Sequence, residues 1–240
     1  MSIQPQHILL ISPEAWGKNL LSKHHYARFL AEKHRVWFLN PARGFTKIPF
    51  GNMRLTSQEI SPGLTVISYL NILPRLNYLP AFLQRWVYTI QSRRILKFLK
   101  TQPSLVWSFD PRRFPNQGCW KAAKSIYHSV DLHPDSKEQE LVKTSDLVIG
   151  LSDLICDDLR KYGTEPLHIG HGCHIDVSDQ SKTVLAGTNT KKAIYTGNFH
   201  QHVDYNLLTR LASENKDVDF ILIGPTEPSN ISAAAIRLED

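Results

Sequence analysis

Three stretches of this 240-residue chain bring together side chains that can do chemistry near neutral pH. The first is Ser12–His25, which follows the apolar run Ile8–Ser12 and carries Lys18, Lys23, His24 and His25. Cations and the free N–H groups of a helix start form an anion-binding surface. The spacing is not that of a dinucleotide fingerprint, because Gly17 stands alone where G-x-G-x-x-G would be needed. The second is Tyr127–Asp135, with Asp131 and His133 just past another apolar run. A carboxylate or imidazole there can take a proton from a hydroxyl nucleophile. A helix cap or turn role would equally suit Asp131, and a surface loop would suit His133 before Pro134. The third is His168–Asp176, whose imidazoles and thiol are zinc-type ligands. No second ligand cluster at a familiar spacing accompanies it, so a glycine turn at a strand end is expected and no metal.

A fourth stretch, Phe82–Lys100, is basic and apolar. Its second half sets Arg93, Arg94, Lys97 and Lys100 against Ile95, Phe98 and Leu99, which suits anionic lipid headgroups. Its first half breaks that pattern, since Leu83, Trp86 and Ile90 project on the side that Lys97 occupies further along. A core helix with an outward basic face is the plainer expectation.

The elements that must position these groups are strands alternating with helices. Short apolar runs at 8–12, 36–39, 64–68, 105–108, 126–130 and 147–151 have the continuous hydrophobicity of strands buried on both faces. Helices are expected from about Ser22, capped by that serine, to Lys33; from about Pro80 to Thr101; and after Ser152, ending at Gly163. Such alternation predicts an α/β fold, a Rossmann-like parallel sheet with helices on both faces. Ligands of such sheets bind at the carboxyl ends of the strands, where the loops holding Lys23 and Asp131 begin. Residues 178–191 are polar and glycine-containing, which predicts a linker between a domain at 1–177 and a second unit at 192–240. The second unit opens with strand, glycine, helix and strand: Ala193–Asn198 and then Phe220–Pro225. It is expected to be the truncated beginning of a second Rossmann-like domain.

Composition narrows the class. With 42% hydrophobic residues the chain can build a core. No apolar run is long enough for a membrane-spanning helix, and the N-terminus lacks the basic start of a signal peptide. Three scattered cysteines fit a reducing cytoplasm. A net charge of +6 favours phosphate-bearing partners, but no RNA-binding or recognition-helix motif is present, so nucleic acid is not expected.

Taken in order, several of these pieces resemble the nucleotide-sugar-dependent glycosyltransferases of the GT-B superfamily, in the group 1 style of bacterial polysaccharide assembly. The carriers are Ser22-Lys23-His24-His25 before a helix, the strand Val36–Leu39 ending in Asn40-Pro41, and Tyr127–Asp131. Ser145–Ser152, His171-Gly172 through Asp176, and Tyr195-Thr196-Gly197 with Asp204 complete the set. The resemblance covers nearly the whole chain. It implies an acceptor site on the first domain, with Asp131 or His133 as base and Lys18, Lys23, His24 and His25 on the acceptor-side loop. It implies a donor site on the second, with Gly197 and Asn198 near the donor phosphates. It further implies a nucleotide-sugar donor, no other cofactor, and a glycan or lipid-linked acceptor. The setting would be polysaccharide or cell-envelope synthesis in the cytoplasm or on the membrane's cytoplasmic face. The acidic donor motif of many relatives would fall beyond Asp240, so residues 1–240 alone are expected to show little turnover. Two other readings stay open: a non-catalytic Rossmann-like binding module or subunit completed by a partner chain, and a sugar-nucleotide epimerase of the same architecture.

Overall fold

The computed structural model describes residues 5–17, 20–42, 55–73, 76–133, 136–172, 185, 187–197, 199 and 203–224. The chain divides into two compact units, Met1–Cys173 and His174–Asp240.

The first unit is built on one sheet. Its strands are β1 (His7–Ile11), β2 (Arg35–Leu39), β3 (Thr56–Ser61), β4 (Leu64–Ser68), β5 (Leu105–Ser108), β6 (Lys124–Ser129), β7 (Leu147–Gly150) and β8 (Leu167–His168). They lie in the order β3-β4-β2-β1-β5-β6-β7-β8. All pairs are parallel except β3 with β4. Among the described residues of this unit the α-helices are α1 (Ser22–Ala31), α2 (Ala81–Leu99), α3 (Ser136–Thr144) and α4 (Asp153–Arg160).

Alternation along β1 shows how the sequence builds the layers. Leu9 and Ile11 pack in one cluster with Val87, Tyr88 and Ile95 of α2. Ile8 and Leu10 pack on the opposite face with Ala27 of α1. Successive strand side chains point to opposite faces, so a run apolar at every position demands helices on both. Burying each such side chain is worth about 1.5–3 kcal/mol. A third cluster joins Tyr127 and Val148 to Leu141 and Val142 of α3 and to Ile155 and Leu159 of α4.

Two expectations are corrected here. The edge strand β3, Thr-Ser-Gln-Glu-Ile-Ser, carried no apolar signal and was not anticipated. It forms because β4 presents a free edge, and it turns back through Pro62-Gly63. Gly63 has a φ of 83°, and a Cβ there would meet the Ala31 carbonyl oxygen at 2.7 Å. The second correction concerns α1. Ser22 is its first residue rather than its cap. Leu21 occupies the cap position, and the His24 ring accepts the Leu21 N–H at 2.9 Å. At α4 the expected cap is present: Ser152 Oγ accepts the Ile155 N–H at 3.3 Å.

The second unit contains β9 (Lys191–Thr196), α5 (Tyr205–Glu214) and β10 (Val218–Ile223), with β9 and β10 parallel. Asp204 caps α5 by accepting the Leu207 N–H at 2.9 Å.

Candidate functional site

In the first unit the strand order reverses about β1, which lies between β2 and β5. Open α/β sheets bind ligands at the carboxyl ends of strands at such a switch point. Ser12, Asn40, Ser68, Asp110 and Asp131 all lie at or just beyond those strand ends.

A buried guanidinium ties these ends together. Arg113 Nε donates to Asp110 Oδ2 at 2.5 Å. Its Nη1 donates to the Asn40 carbonyl at 2.9 Å and to the Tyr69 hydroxyl at 2.8 Å. Its Nη2 donates to the Ser12 carbonyl. One side chain thus joins the segments that follow β1, β2, β4 and β5. Burial works against its charge, but Tyr69 and Asp110 outweigh burial and raise its pKa above the ordinary value. Burial also raises the Tyr69 phenol, so the pair is a fixed cation beside a neutral hydroxyl.

Asn40 organises the next layer. Its Oδ1 accepts the Trp16 backbone N–H at 2.8 Å, and its Nδ2 donates to Ser68 Oγ at 2.9 Å. Trp16, Asn40, Thr56, Ser57, Gln58, Val66 and Ser68 line an open cleft of about 360 Å³. Its wall is one indole and one valine among hydroxyls and amides. The indole is itself held edge-on against Phe38 at 5.0 Å and His24 at 5.2 Å, with the Arg28 guanidinium 5.9 Å from its ring centre.

The acceptor-side residues named from sequence fall into different situations. His24 is fully buried; its Nδ1 accepts from Leu21, and its Nε2 lies 3.3 Å from the Ala15 carbonyl, which makes Nε2 the protonated nitrogen. Burial lowers its pKa. The ring stacks on Phe38 and supports the Trp16 loop. Lys23 is buried and pairs with Glu14. His25 is exposed. Lys18 lies outside the described residues.

At the end of β6, Asp131 is exposed and His133 half-buried. The Ser129 hydroxyl lies 3.0 Å from the Asp131 carbonyl and 3.1 Å from Glu138 Oε1. Glu138 also accepts from the Tyr127 hydroxyl at 2.6 Å. Burial raises the Glu138 pKa, opposed by these hydrogen bonds and by nearby His133. Beside this cluster His128 is fully buried among Tyr26, Trp107 and Phe109, and neither ring nitrogen has a hydrogen-bond partner among the described residues. Burial, with His171 and Lys23 nearby, takes its pKa down to about 4.

In the second unit Gly197 follows β9 and Gly224 follows β10. A Cβ on Gly224 would sit 1.7 Å from the Gly197 carbonyl oxygen, so the two backbones touch. Asn198 lies outside the described residues. For the third stretch, His168 pairs with Asp153 at 3.0 Å. Cys173, His174 and Asp176 lie outside the described residues, and among those described no three His, Cys, Asp or Glu side chains gather as a metal site. No helix among them is long and apolar enough to cross a membrane.

Sequence reading missed Arg113, Asp110, Glu138 and Trp16. The Asn-Pro after β2 was the one local signal for this layer. Arg113 gave none, since its partners are far apart in the chain.

No protein-family profile matches the chain, and no curated protein matches it by sequence. Solved structures do match. An α,α-trehalose-phosphate synthase (UDP-forming) from Burkholderia vietnamiensis superposes with a TM-score of 0.62 at 12% identity, over 98% of this chain and 68% of that one. The fold is GT-B. The lipopolysaccharide outer core galactosyltransferase WaaB shares the GT-B fold at a TM-score of 0.54 and 12% identity, over 97% of this chain and 63% of its own. So does a protein described as a UDP-N-acetylglucosamine 2-epimerase from Listeria monocytogenes, at 0.52 and 10%, over 98% and 67%. The chain therefore spans about two thirds of the length of the GT-B proteins it resembles.

Proposed function

We propose that this chain supplies the acceptor-side domain, and the opening of the donor-side domain, of a glycosyltransferase. The enzyme would move a sugar from a nucleotide-sugar donor to a glycan or lipid-linked acceptor in polysaccharide or cell-envelope synthesis. The observation that carries the reading is the cleft walled by Trp16 and edged by Asn40, Ser57, Gln58 and Ser68 at the carboxyl ends of a GT-B sheet. An indole face beside amides and hydroxyls matches a sugar, which is apolar on its ring faces and polar at its rim.

In a direct displacement the acceptor hydroxyl attacks the anomeric carbon as the bond to the diphosphate breaks. The hydroxyl proton must pass to a base. Asp131 is the carboxylate assigned to that task, with His133 as the other candidate. The diphosphate leaves with the bonding electrons, and the segment Gly197-Asn198 that follows β9 is the one assigned to receive it. Lys18 and His25 remain the side chains of the first loop assigned to the acceptor. Lys23 and His24 would act through it, because both are buried against it.

Titration calorimetry with UDP- and GDP-sugars, together with saturation-transfer NMR against a panel of mono- and disaccharides, tests the reading. Binding of a saccharide that Trp16→Ala weakens by about tenfold supports it. Absence of both nucleotide-sugar and saccharide binding overturns it.

The epimerase reading is favoured by one observation, the shared fold of the Listeria protein. An epimerase needs no second substrate. Conversion of a lone sugar nucleotide into its epimer, followed by NMR, would establish that reading in place of transfer.

A further inference from the structure

The outward face of α2 carries aromatic rings that nothing in the first unit's core requires. Tyr78, in the turn leading into the helix, is 86% exposed, Phe82 is 68% exposed and Trp86 is 62% exposed. Leu83 adjoins them at 36%. Four-residue spacing puts Phe82 and Trp86 on one side of the helix, and Tyr78 lies in the turn before it. Further along the helix the same side carries Arg93 and Lys97, and Lys100 follows at its C-cap, all exposed. The helix buries Val87, Tyr88, Gln91, Ser92 and Ile95 instead. It contains no acidic residue. The nearby carboxylate of Glu140 is taken up by Arg85 at 2.9 Å.

We propose that this face docks on an anionic phospholipid bilayer. Aromatic rings with an apolar body and a polar edge favour the headgroup boundary, and cations alongside favour anionic lipid. A partner protein surface would be expected to meet some acid on so long a face, and α2 offers none. The helix is about 28 Å long by its rise per residue, so the aromatic and cationic halves can rest on one surface together. The chain leaves β4 at the carboxyl edge of the sheet and re-enters at the start of β5, so the aromatic end of α2 lies at that carboxyl edge. Docking there holds the Trp16 cleft's edge of the sheet toward the lipid, where a lipid-linked molecule would be met.

The test is co-sedimentation of the full chain with vesicles of phosphatidylcholine alone and with about one third phosphatidylglycerol. Pelleting with the anionic vesicles and release by salt are expected. Phe82→Ser with Trp86→Ser should weaken it by about tenfold or more, and Arg93→Glu with Lys97→Glu similarly, with unchanged circular dichroism. A wild-type chain that stays in the supernatant overturns the proposal. So does binding by both double variants that equals that of the wild type. A wild-type dimer split by the aromatic double variant would show that a second copy covers the face, and would overturn it too. Vesicle binding without saccharide or nucleotide-sugar binding would retain this inference while removing the glycosyltransferase reading, and the converse result would do the opposite.

Discussion

Arg113 donates through Nη2 to the carbonyl oxygen of Ser12, 101 residues earlier in the chain. That bond crosses the switch point of the sheet, and the same guanidinium holds Asp110, Asn40 and Tyr69. The floor of the candidate site is therefore one hydrogen-bonded unit, and its loops are positioned from below.

Arg113→Met should destabilise the first unit by about 3–5 kcal/mol, because it leaves Asp110 buried without its cation and three oxygens without a donor. Arg113→Lys should recover little, since an ammonium cannot reproduce the planar fork. Urea denaturation checks both. Wild-type stability in Arg113→Met would refute this positioning role.

Acid should weaken the fold through His128. Its ordinary pKa is 6.5, and burial takes it to about 4. Below the ordinary value the unfolded chain takes up a proton that the folded chain refuses. The contribution is thus fully present above that value and is lost as pH falls toward the folded pKa, to a total on the order of 3 kcal/mol. Glu138 acts in the opposite sense: its raised pKa makes its contribution greatest at low pH and lost as pH rises through the folded value. Denaturation midpoints across this range should fall more steeply for wild type than for His128→Phe. Parallel curves would assign the acid response to another group.

Trp16→Ala should lower saccharide affinity by about tenfold, the loss of one stacking face, while leaving nucleotide-sugar binding alone. Asn40→Ala should lower affinity as well and also cost about 1–3 kcal/mol of stability, because it orphans the Trp16 N–H and loosens Ser68. Saturation-transfer NMR with parallel thermal melts separates the two. Equal loss of stability in both variants would show that Trp16 serves packing alone.

Gly224→Ala should disrupt the second unit and spare the first. Its Cβ would overlap the Gly197 carbonyl, and backbone cannot move aside without parting β9 from β10. Amide exchange should accelerate across β9 and β10 and remain slow in β1. Unchanged protection of β9 would contradict that close contact.

The order of strands and helices, the two-sided burial of β1 and the restart of the pattern at β9 were legible in the amino-acid sequence. They depend on periodicity, which is a local property of neighbouring residues. The cap at Ser152 is equally local, since its hydroxyl bonds an N–H three residues on. What α1 does at its start was not legible, because His24 competes with Ser22 and wins by burying its ring on Phe38, a residue of the next strand. The polar strand β3 was invisible for a related reason: it gains its hydrogen bonds from β4 rather than from its own side chains. The sequence put Trp86 on the side of α2 that Lys97 occupies, but only the packing showed that this side is the outward one and that Phe82 shares it. Arg113 is the extreme case. Its four partners come from four separate segments, and only the folding of the sheet into its particular strand order brings their oxygens within reach of one side chain.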